Sequence, residues 1–377
     1  MTSLSPARVL LLGSLVFGLH LPAGRALLNI NGARNQLFVF GNVGFAYNSN
    51  LYSEATGRGD YSVNATVGMD LKRRAGIIAV NSTFKVDYQR FGQYAQENVV
   101  NPSFLLELNK TTGRTTGSIS LSAYRETRSD SAVNLRTSSW NIPVELNLKY
   151  PINDNLYVTS GTTSLQRRYR DTAVLSNYTD YAEALDVFYV YTSKLDLIGG
   201  YRLRVSQSAK GADSTDHWFN IGATGGLYAK LNGTLRLGYQ IRTDQGSHEN
   251  FSHVNALAAL AWPISRKFSL SGQLSRDFNT IATGASVDSS NAALRTIYAY
   301  SRKLEFASGV GYGRNLFLGR TLGQRRDDVF SWDLGATYRF SEHLSLAASY
   351  SYFRNWSRAS FADFDRHGLS FTIASRY

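Results

Sequence analysis

DLGATYRFSEHLSLAASYSYF, residues 333–353, alternates with a period of two. Leu334, Ala336, Tyr338 and Phe340 fall on one side of an extended chain, and Leu344, Leu346, Ala348, Tyr350 and Tyr352 fall on one side of the next. Between them stand Asp333, Gly335, Thr337 and Arg339, then Ser345, Ala347, Ser349 and Ser351. Successive side chains of a β-strand point to opposite faces, so the stretch predicts two strands, each with one apolar and one polar side. Ser341-Glu342-His343 is the turn between them. The fold then depends on what covers the apolar side and what the polar side faces.

The same alternation recurs along the chain. Tyr61, Val63, Ala65, Val67, Met69 and Leu71 share one face, as do Trp140, Ile142, Val144, Leu146, Leu148 and Tyr150. Leu235, Leu237, Tyr239 and Ile241 repeat it, and Leu369, Phe371, Ile373 and Tyr377 end the chain in the same way. About eighteen such segments are readable, from 36–47 to 365–377, of which 156–168, 182–193 and 251–262 alternate least clearly. They run longer than the five or six residues usual in soluble sheets. The connections alternate between short (near 73–76, 151–155 and 341–342) and long (near 48–59, 169–181 and 315–327). Tyr47, Tyr150, Tyr157, Trp262, Phe268, Tyr300, Phe306, Phe340 and Tyr352 gather at strand ends and suggest two aromatic girdles. Pro143 sits inside a strand, where it removes a ladder hydrogen bond, and predicts a local bulge.

These features predict an all-β chain closed into an antiparallel transmembrane barrel of about 18 strands, with short periplasmic turns and longer extracellular loops. Hydrocarbon offers no hydrogen-bond partners, so every backbone group must pair within the sheet, and closure removes the unpaired edges. Leu334, Tyr338 and Phe340 then face lipid, and Asp333, Arg339, Ser345 and Ser349 face the interior.

The N-terminus reads as a secretory signal over residues 1–26, leaving a barrel domain over 27–377. Arg8 precedes the apolar run Val9–Leu21, and Gly24 and Ala26 supply small residues two apart. The chain has no cysteine, which excludes disulfides and thiolate metal sites. Its net charge of +12 is spread singly along the sequence, which argues against a nucleic-acid surface. No phosphate loop, metal cluster or catalytic motif is present, so neither a cofactor nor enzymatic activity is expected. His217, His248, His253 and His367 fall near outer strand ends or in a loop, outside any catalytic pattern. About ten residues, Leu27–Gln36, lie between the signal and the first strand, too few for the plug of an energised transporter.

Three stretches carry a resemblance: YNSNLYSEATGRGDYSVNATVGMDL (47–71), DHWFNIGATGGLYAKLNGTLRLGYQIRT (216–243) and RRDDVFSWDLGATYRFSEHLSLAASYSYFRN (325–355). The sequence resembles the putative beta-barrel porin 2 family of bacterial outer-membrane proteins across essentially the whole mature chain. That resemblance implies the cell outer membrane as location, and a porin-like channel; some members are linked to exopolysaccharide production and export. The terminal residue departs from the common phenylalanine: it is Tyr377, with Ser375 two before it.

Eighteen strands enclose a space too wide for side chains to fill, which predicts a water-filled or plugged lumen. The inward positions with chemistry are Lys85, Lys149, Arg202, Arg204, Arg236, Arg242, Asp333, Arg339 and Arg366, beside the acids Asp70, Asp87, Glu107 and Glu145. Basic residues outnumber acids, which suits passive diffusion of small hydrophilic solutes with a mild anion preference, unless the charges merely pair across strands. Expected partners are outer-membrane lipid and lipopolysaccharide, the barrel-assembly machinery, and small hydrophilic solutes. The alternative is a barrel component of exopolysaccharide export, with the polysaccharide as partner, although few aromatics point inward. The longest connections, 169–181 and 315–327, are the candidates to fold into the lumen, and RTLGQRRDD (320–328) could line a mouth.

Overall fold

The computed structural model describes residues 28–30, 35–131, 133–171, 173–246, 249–319 and 325–377. The signal segment 1–26 and most of the charged stretch 320–328 lie outside the described residues, as does His248. After a three-residue strand β1 (Leu28–Ile30), eighteen long strands follow: β2 (Asn35–Asn48), β3 (Asp60–Ala75), β4 (Ile78–Phe91), β5 (Val99–Lys110), β6 (Thr116–Asp130), β7 (Leu135–Pro151), β8 (Leu156–Tyr169), β9 (Tyr178–Thr192), β10 (Leu195–Ser208), β11 (Ser214–Tyr228), β12 (Leu231–Asp244), β13 (Asn250–Trp262), β14 (Phe268–Thr280), β15 (Ser286–Ala299), β16 (Leu304–Phe317), β17 (Arg326–Arg339), β18 (Leu344–Ser357) and β19 (Phe364–Arg376). Each pairs antiparallel with the next, and β19 pairs back onto β2 from Gly368↔Asn48 to Arg376↔Phe40, closing the sheet. Tyr377 completes the seam: its amide donates to the Val39 carbonyl at 2.8 Å and its carbonyl accepts from the Val39 amide at 2.7 Å.

The wall sorts its side chains as a bilayer requires. In the hairpin β17–β18, Leu334 is 45% exposed on the outside while its neighbour Asp333 is buried inside. Val67 and Ile221 are 66% and 71% exposed on outer faces of β3 and β11. A soluble protein would not display so much contiguous apolar surface; acyl chains cover it here. Outer faces carry aromatic clusters near the long-loop end, such as Phe45, Tyr47 and Tyr61, or Tyr350, Tyr352 and His367. Tyr157 corrects the girdle reading: it points inward, stacks on Phe188 at 4.6 Å, and its hydroxyl donates to Asp196 at 2.6 Å.

Pro143 produces no bulge. The β6–β7 ladder pairs Leu121↔Val144 and resumes at Tyr124↔Asn141 in unchanged register, with two steps left unpaired between. On its other side Pro143 stays opposite Leu165. A missing donor thus interrupts one ladder locally without shifting the strand.

Two hairpins leave the wall at the long-loop end. Strand β14 pairs with β13 only up to Ala256↔Arg276, although β13 begins at Asn250 and β14 continues to Thr280 paired with β15. Strand β6 likewise parts from β5 beyond Ser103↔Tyr124 while staying paired to β7 as far as Asp130↔Leu135. Sequence had pointed to 169–181 and 315–327 as infolding segments. The alternating ladders themselves run on past the wall and bend inward, with residues 173–177 of the first segment packed over them; residues 320–324 of the second lie outside the described residues.

Candidate functional site

The inward bend of β14–β15 follows from charge. Asp277, at the point of departure, accepts from Arg202 Nη2 at 3.1 Å to both carboxylate oxygens, and from Arg204 Nη2 at 3.3 Å. Beyond it the strand's own carbonyls become acceptors: Arg204 Nη2 donates to Phe278 O, and Arg242 Nη1 donates to Asn279 O at 3.1 Å. The Phe278 ring lies at 4.1 Å from the His253 ring, on the inner face of β13. The hairpin is therefore fastened to the inside of strands β10–β13 at the outer half of the barrel.

Asp216 is the centre of this fastening. Its carboxylate takes Arg204 Nε at 2.6 Å, and Arg242 Nε and Nη2 at 2.6 and 2.9 Å. Asp216, Arg242 and Gln240 are each no more than 1% exposed. Charges this deep are tolerated only when paired and hydrogen-bonded. Asp288, on the infolded hairpin, lies 3.1 Å from His253 Nδ1 and 2.8 Å from Arg276 Nη2.

Arg202, Arg204 and Arg242 thus form one cluster with Asp216 and Asp277. Arg236 belongs to a neighbouring pair, its two Nη atoms on Asp186 at 2.8 and 2.9 Å. The other sequence candidates stand apart. Lys85 pairs with Asp87 at 2.8 Å, and Arg339 with Glu305 at 3.2 Å. Asp333 is buried with both carboxylate oxygens lacking a hydrogen bond, its nearest cation Arg295 at 3.8 Å. Lys149 Nζ sits 3.5 Å over the Tyr157 ring. Arg366 rests over Phe353 and donates to Ser53 Oγ at 3.3 Å. Sequence reading missed Asp216, Asp277, Asp186, His253 and Phe278 as members of the site. The one signal available was Arg276-Asp277-Phe278, where charge and aromatic character replace the alternation of β14.

The β6–β7 hairpin crosses the same end. Asn134 Nδ2 donates to Ser53 O at 2.7 Å and to Phe361 O; Arg325 Nη2 donates to Ser131 O at 3.3 Å. Val133 at its tip packs on the cluster of Tyr169, Leu175, Tyr178 and Ala282, which come from β8, the loop after it, β9 and the β14–β15 tip. Ser176 N donates to Ala282 O at 2.7 Å, linking loop 170–177 to the β14–β15 tip. Gly211 and Gly284 let loop 209–213 approach that tip: a Cβ on Gly211 would lie 2.3 Å from Gly284 O. In loop 49–59, outside the wall, the hydrogen bond from Arg58 holds the Glu54 carboxyl below its ordinary value. The lumen is therefore narrowed at the long-loop end by two hairpins and the loops resting on them, with polar and charged walls below. Among the described residues no group of three or more His, Asp and Glu is placed to hold a metal ion.

Comparison with solved structures gives the same architecture. OpdK of Pseudomonas aeruginosa, solved with vanillate, superposes with a TM-score of 0.51 at 11% identity, over 90% of this chain and 99% of that one. OccAB3 of Acinetobacter baumannii gives 0.49 at 10% identity, over 92% and 99%. The FrpB iron transporter of Neisseria meningitidis gives 0.46 at 13% identity, over 85% and 62%. At such identities the likeness is one of fold. No curated protein matches the sequence. The family model for putative beta-barrel porin 2 matches residues 119–377. A closed eighteen-strand wall with an apolar exterior, a charged lumen and this match over most of its length make the chain a member of the putative beta-barrel porin 2 family, an outer-membrane β-barrel of the porin type.

Proposed function

We propose that the chain is a passive channel for small hydrophilic solutes with a mild preference for anions. The observation that carries the anion preference is the state of the lumen cations. Most are neutralised locally, but among the described residues Lys149, Arg167 and Arg366 have no carboxylate within the 4.0 Å of an ion pair. Against them, Asp60, Glu107, Asp180 and Asp196 are inward acids with no cation at that distance, Asp60 held under the amides of Tyr61, Gln93 and Tyr94 and Asp196 under the Tyr157 hydroxyl. Fixed positive charge with no carboxylate beside it, on a wet path, raises the local concentration of anions without binding them tightly. Width is set by the two infolded hairpins, and transport consumes no energy. No catalysis is involved: His217 and His367 bond to Tyr201 and Tyr350 at the outer girdle, and His253 is buried beside Asp288. Export through the 1–26 signal and assembly through the β19 alternation belong to the same reading, with lipopolysaccharide as the outer-leaflet neighbour.

The test is reversal potential in planar bilayers under a KCl gradient. Ohmic current is expected, with a reversal potential of the sign set by chloride. The double variant Lys149→Gln, Arg366→Gln should move that potential toward zero. A cation-selective sign, or a variant with unchanged selectivity, would contradict the proposal.

A further inference from the structure

The outer face of β8 does not suit hydrocarbon. On β7 the outward row between Trp140 and Tyr150 is Ile142, Val144, Leu146 and Leu148. Directly beside these four, β8 sets Gln166, Ser164, Thr162 and Ser160. On the other side of β8, Glu183 of β9 stands opposite Thr162. Its carboxylate accepts from Ser160 Oγ at 2.7 Å and from Thr162 Oγ1. Glu183 shares its face with Leu185 and Val187, which are 52% and 43% exposed. A carboxylate and four polar side chains thus occupy rows that the adjoining strand fills with aliphatics. Two hydroxyls do not replace the hydration of a carboxylate, and an ionisable group facing lipid at this depth is unfavourable unless something polar covers it.

We propose that this β8–β9 face is the contact between two copies of the chain, related by a twofold axis parallel to the membrane normal. Whatever covers the patch must itself lie within the bilayer at the same depth. Rotation about the membrane normal preserves depth, so a second copy brings its own polar row level with the first. A different membrane protein would need an independently matched polar band. The patch contains both kinds of group that such self-pairing needs: hydroxyl and amide donors on Ser160, Thr162, Ser164 and Gln166, and acceptors on Glu183 and Gln166. Three of the five side chains are small, which lets the two walls approach closely. Only an isologous contact sets the patch against itself. A threefold arrangement would press it on an aliphatic stretch of wall and leave Glu183 no better covered. The inference concerns the outer wall and stands independently of what the lumen conducts.

The chain has no cysteine, so introduced thiols report without background. Single variants Ser160→Cys, Thr162→Cys, Ser164→Cys and Gln166→Cys are oxidised in isolated outer membranes, beside Ala348→Cys on the outer face of β18. The mass of the unmodified protein in detergent is measured by light scattering. Two-chain mass is expected, together with disulfide-linked pairs at one or more of the four positions in at least tenfold excess over position 348. A mass of one or three chains, or linkage no greater than at position 348, would overturn the proposal.

Discussion

Replacing Asp216 by alanine is expected to destabilise the barrel by about 3–5 kcal/mol, the usual cost of leaving a buried charge without its partner. The loss falls on two guanidinium groups at once, because Arg204 and Arg242 share that carboxylate. The same two arginines hold the carbonyls of Phe278 and Asn279. Their release should therefore free the β14–β15 hairpin from the inner wall as well as lower stability. Unfolding of the detergent-solubilised protein in urea reads the first effect, and a rise in single-channel conductance reads the second. Asp216→Asn retains some hydrogen bonding and should fall between. A variant with unchanged conductance would show that the hairpin is held by other means.

The second large effect concerns which side of the wall meets lipid. Leu334→Arg should cost about 2–4 kcal/mol, since Leu334 lies on an outer face between the rings of Trp332 and Tyr338. Ser349→Arg, on the adjacent strand, should cost less than about 1 kcal/mol, because Ser349 faces Ser370 across the inner surface. The two positions lie on neighbouring strands, and Gly335, next to Leu334, stands opposite Ser349. The difference therefore isolates the face from the position in the chain. Equal costs, read by refolding yield into vesicles, would mean that the apolar side is not the lipid side.

The strands were legible because a period of two, sustained over a dozen residues, has one physical meaning, and the hairpin 333–353 displays it without ambiguity. The inward bends were not. Alternation runs through β6 and β7 whether or not those strands keep to the wall, and the break in alternation at Arg276-Asp277-Phe278 does not by itself tell a strand to part from β13. That decision is made by Arg202, Arg204 and Arg242, which come from β10 and β12. Sequence identified these arginines as inward and cationic, but it could not pair them with Asp216 and Asp277, because those contacts depend on register and barrel curvature together. The face of Tyr157 was illegible for a different reason. Thr159, Gly161 and Thr163 on one side of β8 and Ser160, Thr162 and Ser164 on the other are nearly equal in polarity, so the alternation carries no sign. That ambiguity is itself the trace of the polar outer patch beside Glu183.

Closure of the sheet between its first and last long strands supports everything else. Phe45 and Phe371 are directly opposed across the β2–β19 seam and both face outward. Antiparallel partners lie about 4.5–5.5 Å apart at Cα, within reach of a disulfide. In the cysteine-free chain, the double variant Phe45→Cys, Phe371→Cys should oxidise to an intramolecular disulfide in folded, detergent-solubilised protein. The pair Phe45→Cys, Leu334→Cys should remain as thiols. Free thiols at 45 and 371 in folded protein would show that the seam is open and would contradict the barrel.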